Sequence, residues 1–291
     1  MGNTKGSLFM VLSMAAFSIE DMLIKSAAAT VPIGLILMLF GLGGMLIFIL
    51  LTWQRGEIVL HPDILSRPIL VRASCEVVGR LMFALAITLT PLSSASAILQ
   101  ATPLVAVTGA ALIFKEHIGA MRWLAIMLGF IGVLMIIRPG LASFEAASLF
   151  ALIATLGFAG RDLATRGATP TLSNMQLGVY GFFVLIPTGL VMVLFSGNAV
   201  QLDLIASLQI LGATLFGVLA YYSLTVAMRT GDVSVVSPFR YTRLLFALLW
   251  GGLIFSERPD MMTLLGGVII ILSGSYTLIQ SRRLLKIKPA G

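Results

Sequence analysis

Three arginines fall where an apolar chain leaves them little water. Arg80 lies inside the apolar stretch 68–89, and Arg240 and Arg243 flank Tyr241 inside the stretch 233–255. At 1.5 Å per helical residue, Arg80 sits roughly 18 Å in from residue 68, and Arg240 and Arg243 about 10 and 15 Å in from residue 233. A guanidinium at bilayer depth costs roughly 2.5–3.5 kcal/mol on insertion scales, so it needs a carboxylate, a watery cavity or a ligand. Glu76 precedes Arg80 by four residues and follows Arg72 by four, which puts all three on one helix face. Read this way, three cations near mid-depth outnumber the one carboxylate that shares their level. A surplus of that kind fits a ligand that brings its own negative charge, a carboxylate or phosphate gripped by charge-assisted hydrogen bonds. The chemistry these residues offer is binding.

Glu20 and Arg161 stand 141 positions apart with opposite charges. Glu76, Glu20 and Arg161 are the candidates for coupling or counter-ion groups, because a carboxylate beside arginines can exchange a proton for substrate as its hydration changes. Glu76 has a second reading, as a staple that neutralises Arg72 and Arg80. Asp21 with Lys25, and Asp162 with Arg166, are i,i+4 pairs near helix ends, where local pairing and snorkelling suffice. Arg72, near the end of its stretch, can snorkel too. Tyr221 and Tyr222 lie inside an apolar stretch, and Tyr221 is the position 141 beyond Arg80. Their phenols, like that of Tyr180, either serve a ligand or bond a neighbouring backbone carbonyl. The candidate binding set is therefore Arg80, Arg240, Tyr241, Arg243, Tyr221 and Tyr222.

Catalysis finds no inventory. The two histidines, His61 and His117, fall in loops, and neither a Gly-x-Ser-x-Gly elbow nor a His-Glu-x-x-His pair occurs. A Walker loop is missing too, so no nucleotide drives the chain. The single cysteine, Cys75, excludes an intrachain disulfide and a cysteine metal cluster, and neither a cofactor nor a metal is expected.

The elements that must hold these charges come from composition. Of 291 residues, 58% are hydrophobic and 11% charged, against roughly 45–50% and 25% in a soluble domain. Apolar stretches at about 6–25, 32–52, 68–89, 93–114, 120–137, 146–166, 174–195, 204–228, 233–255 and 261–280 each approach the ~20 residues a spanning helix needs. Period-2 alternation is missing, so the spans are helices and not a barrel. The expectation is an all-α integral membrane protein in the lipid bilayer. Its net charge of +7 reflects basic loops on one membrane side and implies no nucleic acid. Lys5, Arg55, Arg67, Lys115, Arg282 and Lys286 share a side, against Lys25, Arg138 and Arg258 opposite, which puts both termini in the cytoplasm. The first apolar run carries Glu20 and Asp21 and lacks a small-residue cleavage site, so it is expected to stay.

Shifted by 141 positions, the chain repeats itself. Phe17 falls on Phe158, Asp21 on Asp162, Leu104 on Leu245, and Leu112-Ile113-Phe114-Lys115-Glu116 on Leu253-Ile254-Phe255-Ser256-Glu257. Two units follow, 1–141 and 142–291, with five helices each; an odd number turns the second upside down. Pro103 and Pro238 are expected to kink the fourth and ninth helices, with Pro187 a further hinge. Glycines such as Gly132 and Gly266 suggest close packing between helices.

With its ten helices in a five-plus-five inverted repeat, a charged end on the first helix of each unit and Phe-x-Glu closing the fourth and ninth, the chain resembles the drug/metabolite transporter superfamily, EamA type. Ser237-Pro238-Phe239-Arg240-Tyr241, Asp21-x-x-x-Lys25 and Val71-Arg72 resemble the branch with S-adenosylmethionine and riboflavin carriers. The resemblance implies alternating access without an ATP-binding domain. The reading is a secondary transporter of a small anionic or zwitterionic organic metabolite in the bacterial inner membrane, monomer or homodimer, with protons as a coupling ion. Alternatives are an exporter of amino acids or drug-like compounds, an S-adenosylmethionine-type exchanger and, from another class, a channel.

Overall fold

The computed structural model describes residues 2–113, 119–138, 145–167, 172–196, 202–230 and 237–287, all of it helices and short connections. The first unit contains α1 (Gly2–Ala27), α2 (Ile33–Gln54), α3 (Arg67–Leu89), α4 (Leu92–Leu99), α5 (Thr102–Ile113) and α6 (Ala120–Ile137). The second contains α7 (Ser148–Gly167), α8 (Asn174–Phe183), α9 (Leu185–Ser196), α10 (Leu204–Thr230), α11 (Thr242–Phe255) and α12 (Met261–Ile287). Among the described residues, five segments are long and apolar enough to cross a membrane, Thr4–Ala27, Ile33–Gln54 and Leu204–Ala227 among them. The helices α3 and α7 have the length but carry the buried charges, and α11 has 14 residues. The outward faces are apolar, with Leu42, Leu46, Leu50, Leu208, Leu211 and Leu215 all exposed, as a lipid-facing surface requires.

Proline chemistry divides two of the ten stretches. Pro103 has no N–H for the carbonyl of Leu99. The helix breaks there between α4 and α5, and the Thr102 hydroxyl donates to that carbonyl instead, at 2.6 Å. Pro187 likewise offers nothing to Phe183, and α8 gives way to α9 at Val184. The ninth stretch departs from expectation. Pro238 lies in a 3₁₀ turn, Ser237–Tyr241, ahead of α11 and not in a helix interior, and residues 231–236 lie outside the described residues.

The inverted repeat is legible in which helices touch. α1 packs on α10 and α3 on α7, the same pairing with the units exchanged; α2 packs on α8 and α9, and α6 on α12, each with its own counterpart. Directions agree. On α1 and α10, Ser13 bonds the Ala220 carbonyl while Ser26 bonds Gln209 thirteen residues later and eleven earlier, so the pair is antiparallel. On α3 and α7, Gly79 meets Gly157 and Cys75 meets Gly160, again antiparallel. α7 thus opens the second unit against the direction in which α1 and α3 run. At Gly79 and Gly157 the backbones touch: a Cβ on Gly157 would fall 2.6 Å from the Gly79 nitrogen. Between α6 and α12, Gly132 and Gly266 face each other's carbonyls in the same way.

Two charged clasps close one end of the bundle. Lys25 donates to the carbonyls of Ile87 (2.8 Å) and Thr90 (2.6 Å), the free C-terminal end of α3, and pairs with Glu257 at 3.3 Å. Glu257 in turn accepts from the amides of Leu92 (2.7 Å) and Ser93 (3.1 Å), capping α4. The expected Asp21–Lys25 pair gives way to this geometry, because helix ends offer Lys25 more unsatisfied oxygens than one neighbour does. Outside the spans, Asp260 accepts from the Thr263 amide at the start of α12 and from Arg138 at the end of α6; these bonds, Arg138 first, hold its carboxyl at about 2.

Candidate functional site

Helices α1, α3 and α7 converge with the turn into α11 at the middle of the bundle, and each brings charge. Arg80 on α3 donates to Glu20 on α1 and to Glu76 Oε1 at 3.4 Å. Arg161 on α7 reaches Glu76 Oε2 at 3.4 Å and its own neighbour Asp162 at 2.9 Å. Asp162 also takes a bond from Arg240 at 3.3 Å, while Arg243 grips Asp21 Oδ2 with two nitrogens at 2.7 and 3.1 Å. Arg72 donates to the Tyr221 hydroxyl at 2.7 Å. Aromatic faces back the cations: Arg243 lies over Phe17 and Phe83, 5.0 and 5.1 Å from the ring centres, and Arg161 over Phe158 at 5.0 Å.

This network faces a cavity with about 590 Å³ of empty space, counting the open space at its mouth. Arg80, Arg161, Arg240 and Arg243 line it, together with Phe17, Phe158 and the broken segment Leu99-Gln100-Thr102-Pro103. Leu99 and Thr102 are the positions 141 before Arg240 and Arg243. At these equivalent positions the two units line the cavity with different chemistry: the helix break at Leu99 and Thr102 from the first, guanidiniums from the second. A second, smaller space behind Arg80 is lined by Glu76, Gly181, Phe182, Leu185 and Tyr221. Arg80 is common to both.

Several expectations change here. Four carboxylates share the arginines' level, not one: Asp21 turns inward to Arg243 instead of pairing with Lys25 four residues along its helix, and Asp162 reaches Arg240. The Arg166 side chain falls outside the described residues. Arg72 does not snorkel; it is 4% exposed. Among the described residues, the cavity lining includes none of the three tyrosines of the candidate set. Tyr221 accepts from Arg72, Tyr222 packs half-buried on the core, and the Tyr241 hydroxyl presses against Gly274 of α12. Tyr180 takes the bland reading, its hydroxyl donating to the Val59 carbonyl at 2.6 Å. Sequence reasoning missed Asp21, Asp162 and Gln100 as site residues. The signal for the aspartates was present: they are repeat partners, and a charge kept in both units at one position is poorly explained by local pairing.

Comparison with known proteins now bears on what this architecture is. The EamA-like transporter family model matches twice, at residues 4–138 and 146–279. The chain belongs to the EamA-like transporter family. This EamA chain is therefore a multi-pass membrane transporter for small metabolites and not an enzyme. It is 27% identical over 270 residues to a pseudopaline exporter of Pseudomonas aeruginosa, covering 92% of this chain and 94% of that one. It is 28% identical to an S-adenosylmethionine uptake transporter of Rickettsia bellii over 71% of each, and 31% identical to a riboflavin transporter of Vibrio cholerae over 64% of this chain and 62% of that one. A crystal structure at 16% identity superposes with a TM-score of 0.65 over 97% of this chain and 99% of its own, which supports the fold.

Proposed function

We propose that this EamA chain is a secondary carrier that moves a small organic metabolite bearing a carboxylate or phosphate, anionic or zwitterionic, by alternating access. The observation that supports it most is the cavity wall itself: four guanidiniums face the empty space, each already held by a carboxylate that a substrate acid can replace. Among the described side chains of the cluster, the arginines at 72, 80, 161, 240 and 243 outnumber Glu20, Asp21, Glu76 and Asp162 by one. The carboxylates leave room for a zwitterion, whose ammonium can take up an oxygen that its acid displaces from arginine. The relatives named for S-adenosylmethionine, itself an amino-acid zwitterion, are in keeping with that class.

In this reading the units 1–141 and 142–291 rock about the cavity, with both termini cytoplasmic and the Lys25–Glu257 clasp shutting one end. Glu20 and Glu76 serve as counter-ions, one of them exchanging a proton. The test is a thermal-shift screen of purified protein with matched probes, an amino acid or dicarboxylate beside its methyl ester, since a ligand of the folded state stabilises by RT ln(1 + [L]/Kd). Stabilisation that vanishes on esterification supports the reading. Equal stabilisation by esters or by lipophilic cations overturns it.

A further inference from the structure

The four carboxylates of the cluster are not equally satisfied. Both oxygens of Glu76 lie within 3.5 Å of guanidinium nitrogens, from Arg80 and Arg161. Asp162 gives one oxygen to Arg161 and the other to Arg240, and Asp21 is gripped twice by Arg243. Glu20 differs. It is 0% exposed, its Oε1 accepts from Arg80, and among the described residues its Oε2 has no hydrogen-bond partner. A buried anionic oxygen without a protein donor carries a desolvation cost, and a proton removes that cost by making the group neutral.

The elements packed around Glu20 divide: Arg80 of α3 favours the carboxylate, and the rest favour the proton. On α1 its neighbour is Asp21, a like charge, though one engaged by Arg243 of α11. α3 brings Arg80 and, beyond it, Glu76. α2 contributes the Phe40 ring and no ionisable group. α10 offers Tyr221, occupied with Arg72, and Gly217, where a Cβ would fall 3.1 Å from Glu20 Oε2. The free oxygen thus looks onto bare α10 backbone and aromatic carbon. Gly217 and Glu76 are the repeat partners facing Glu20 and Arg161, so the same contact that gives Arg161 a counter-charge leaves Glu20 with nothing.

We propose that Glu20 is the proton-binding group of this carrier, and that Glu20 and the substrate's acid share Arg80. The proposal rests on the carrier reading above. A proton from water on the side to which the cavity opens adds to Glu20 Oε2, forming an O–H bond and cancelling the carboxylate. Arg80 loses its ionic partner. Because Arg80 already belongs to the cavity wall, its guanidinium turns to a carboxylate or phosphate oxygen of the substrate. One proton and one monoanionic group enter together, and the charge of the cluster is conserved. Binding is therefore cooperative: a bound acid raises the proton affinity of Glu20, and a lower pH strengthens acid binding by the same factor. Glu76 stays charged, held by two arginines.

The test needs no substrate. Difference infrared spectra of the full chain in lipid nanodiscs, recorded between about pH 5 and about pH 9, report a protonated carboxyl through its carbonyl stretch. Wild type and Glu76→Gln should both show the band, and Glu20→Gln should lose it. In Arg80→Gln the midpoint should move to higher pH, because the single cation bonded to Glu20 is gone; this variant keeps Glu20 readable even where Glu20→Gln folds poorly. A band that survives in Glu20→Gln, a band lost in Glu76→Gln, or an unmoved midpoint in Arg80→Gln overturns the assignment. None of these outcomes bears on the carrier reading, which the ligand screen and substrate exchange test separately.

Discussion

Arg243 shows what a single residue tells and what it withholds. Its depth in an apolar stretch announces a guanidinium in need of a partner, and it does line the cavity. The repeat marks Asp21 as a charge to explain but not Arg243 as its partner, because an aspartate four residues before a lysine satisfies a local rule that the fold then overrides. The consequence for mutation is specific. Arg243→Ala leaves Asp21 buried, 2% exposed and unpaired, and breaking one side of a buried pair costs roughly 3–5 kcal/mol. We expect a clear loss of thermal stability in detergent for Arg243→Ala, and recovery of most of it in Asp21→Asn/Arg243→Gln, which removes the charges together. A stable Arg243→Ala protein would show that the Asp21 pair contributes little.

At the scale of elements, the apolar stretches mark where helices run, and proline marks where two of them break. Pro103 and Pro187 interrupt the fourth and seventh passages because each withholds an N–H from the carbonyl four residues earlier. Pro238 was less legible: a proline is tolerated at the start of a helix, and the sequence does not say on which side of it the helix begins. Nor does sequence spacing reveal Glu257 as a cap, since the helix it caps begins at Leu92 in the other unit. That cap makes its own prediction. Glu257→Ala strips two amides of α4 and the ammonium of Lys25 of their acceptor, and caps are worth about 0.5–2 kcal/mol. Thermal unfolding should fall accordingly in Glu257→Ala but much less in Glu257→Gln, which keeps an acceptor oxygen; equal losses would make the ionic contact with Lys25 the dominant part.

For the whole molecule, the duplication is the strongest message in the sequence, and the pairing of α1 with α10 and α3 with α7 is its physical expression. What the repeat could not disclose is how unlike the two units have become at the centre. Arg240 and Arg243 face Leu99 and Thr102, and Glu20 faces Gly217 where Arg161 faces Glu76. A symmetric scaffold thus holds an asymmetric, positively charged cavity. The claim that this cavity is the substrate site is tested most directly by counterflow in proteoliposomes, using the acid that the thermal-shift screen selects, with wild type beside Asp21→Asn/Arg243→Gln. A pair variant that unfolds near the wild-type temperature, as expected above, makes a loss of exchange a report on binding. Exchange should fall at least about tenfold, the equivalent of one charge-assisted hydrogen bond of roughly 1.4 kcal/mol or more. Exchange at the wild-type rate by a stable pair variant would contradict the account.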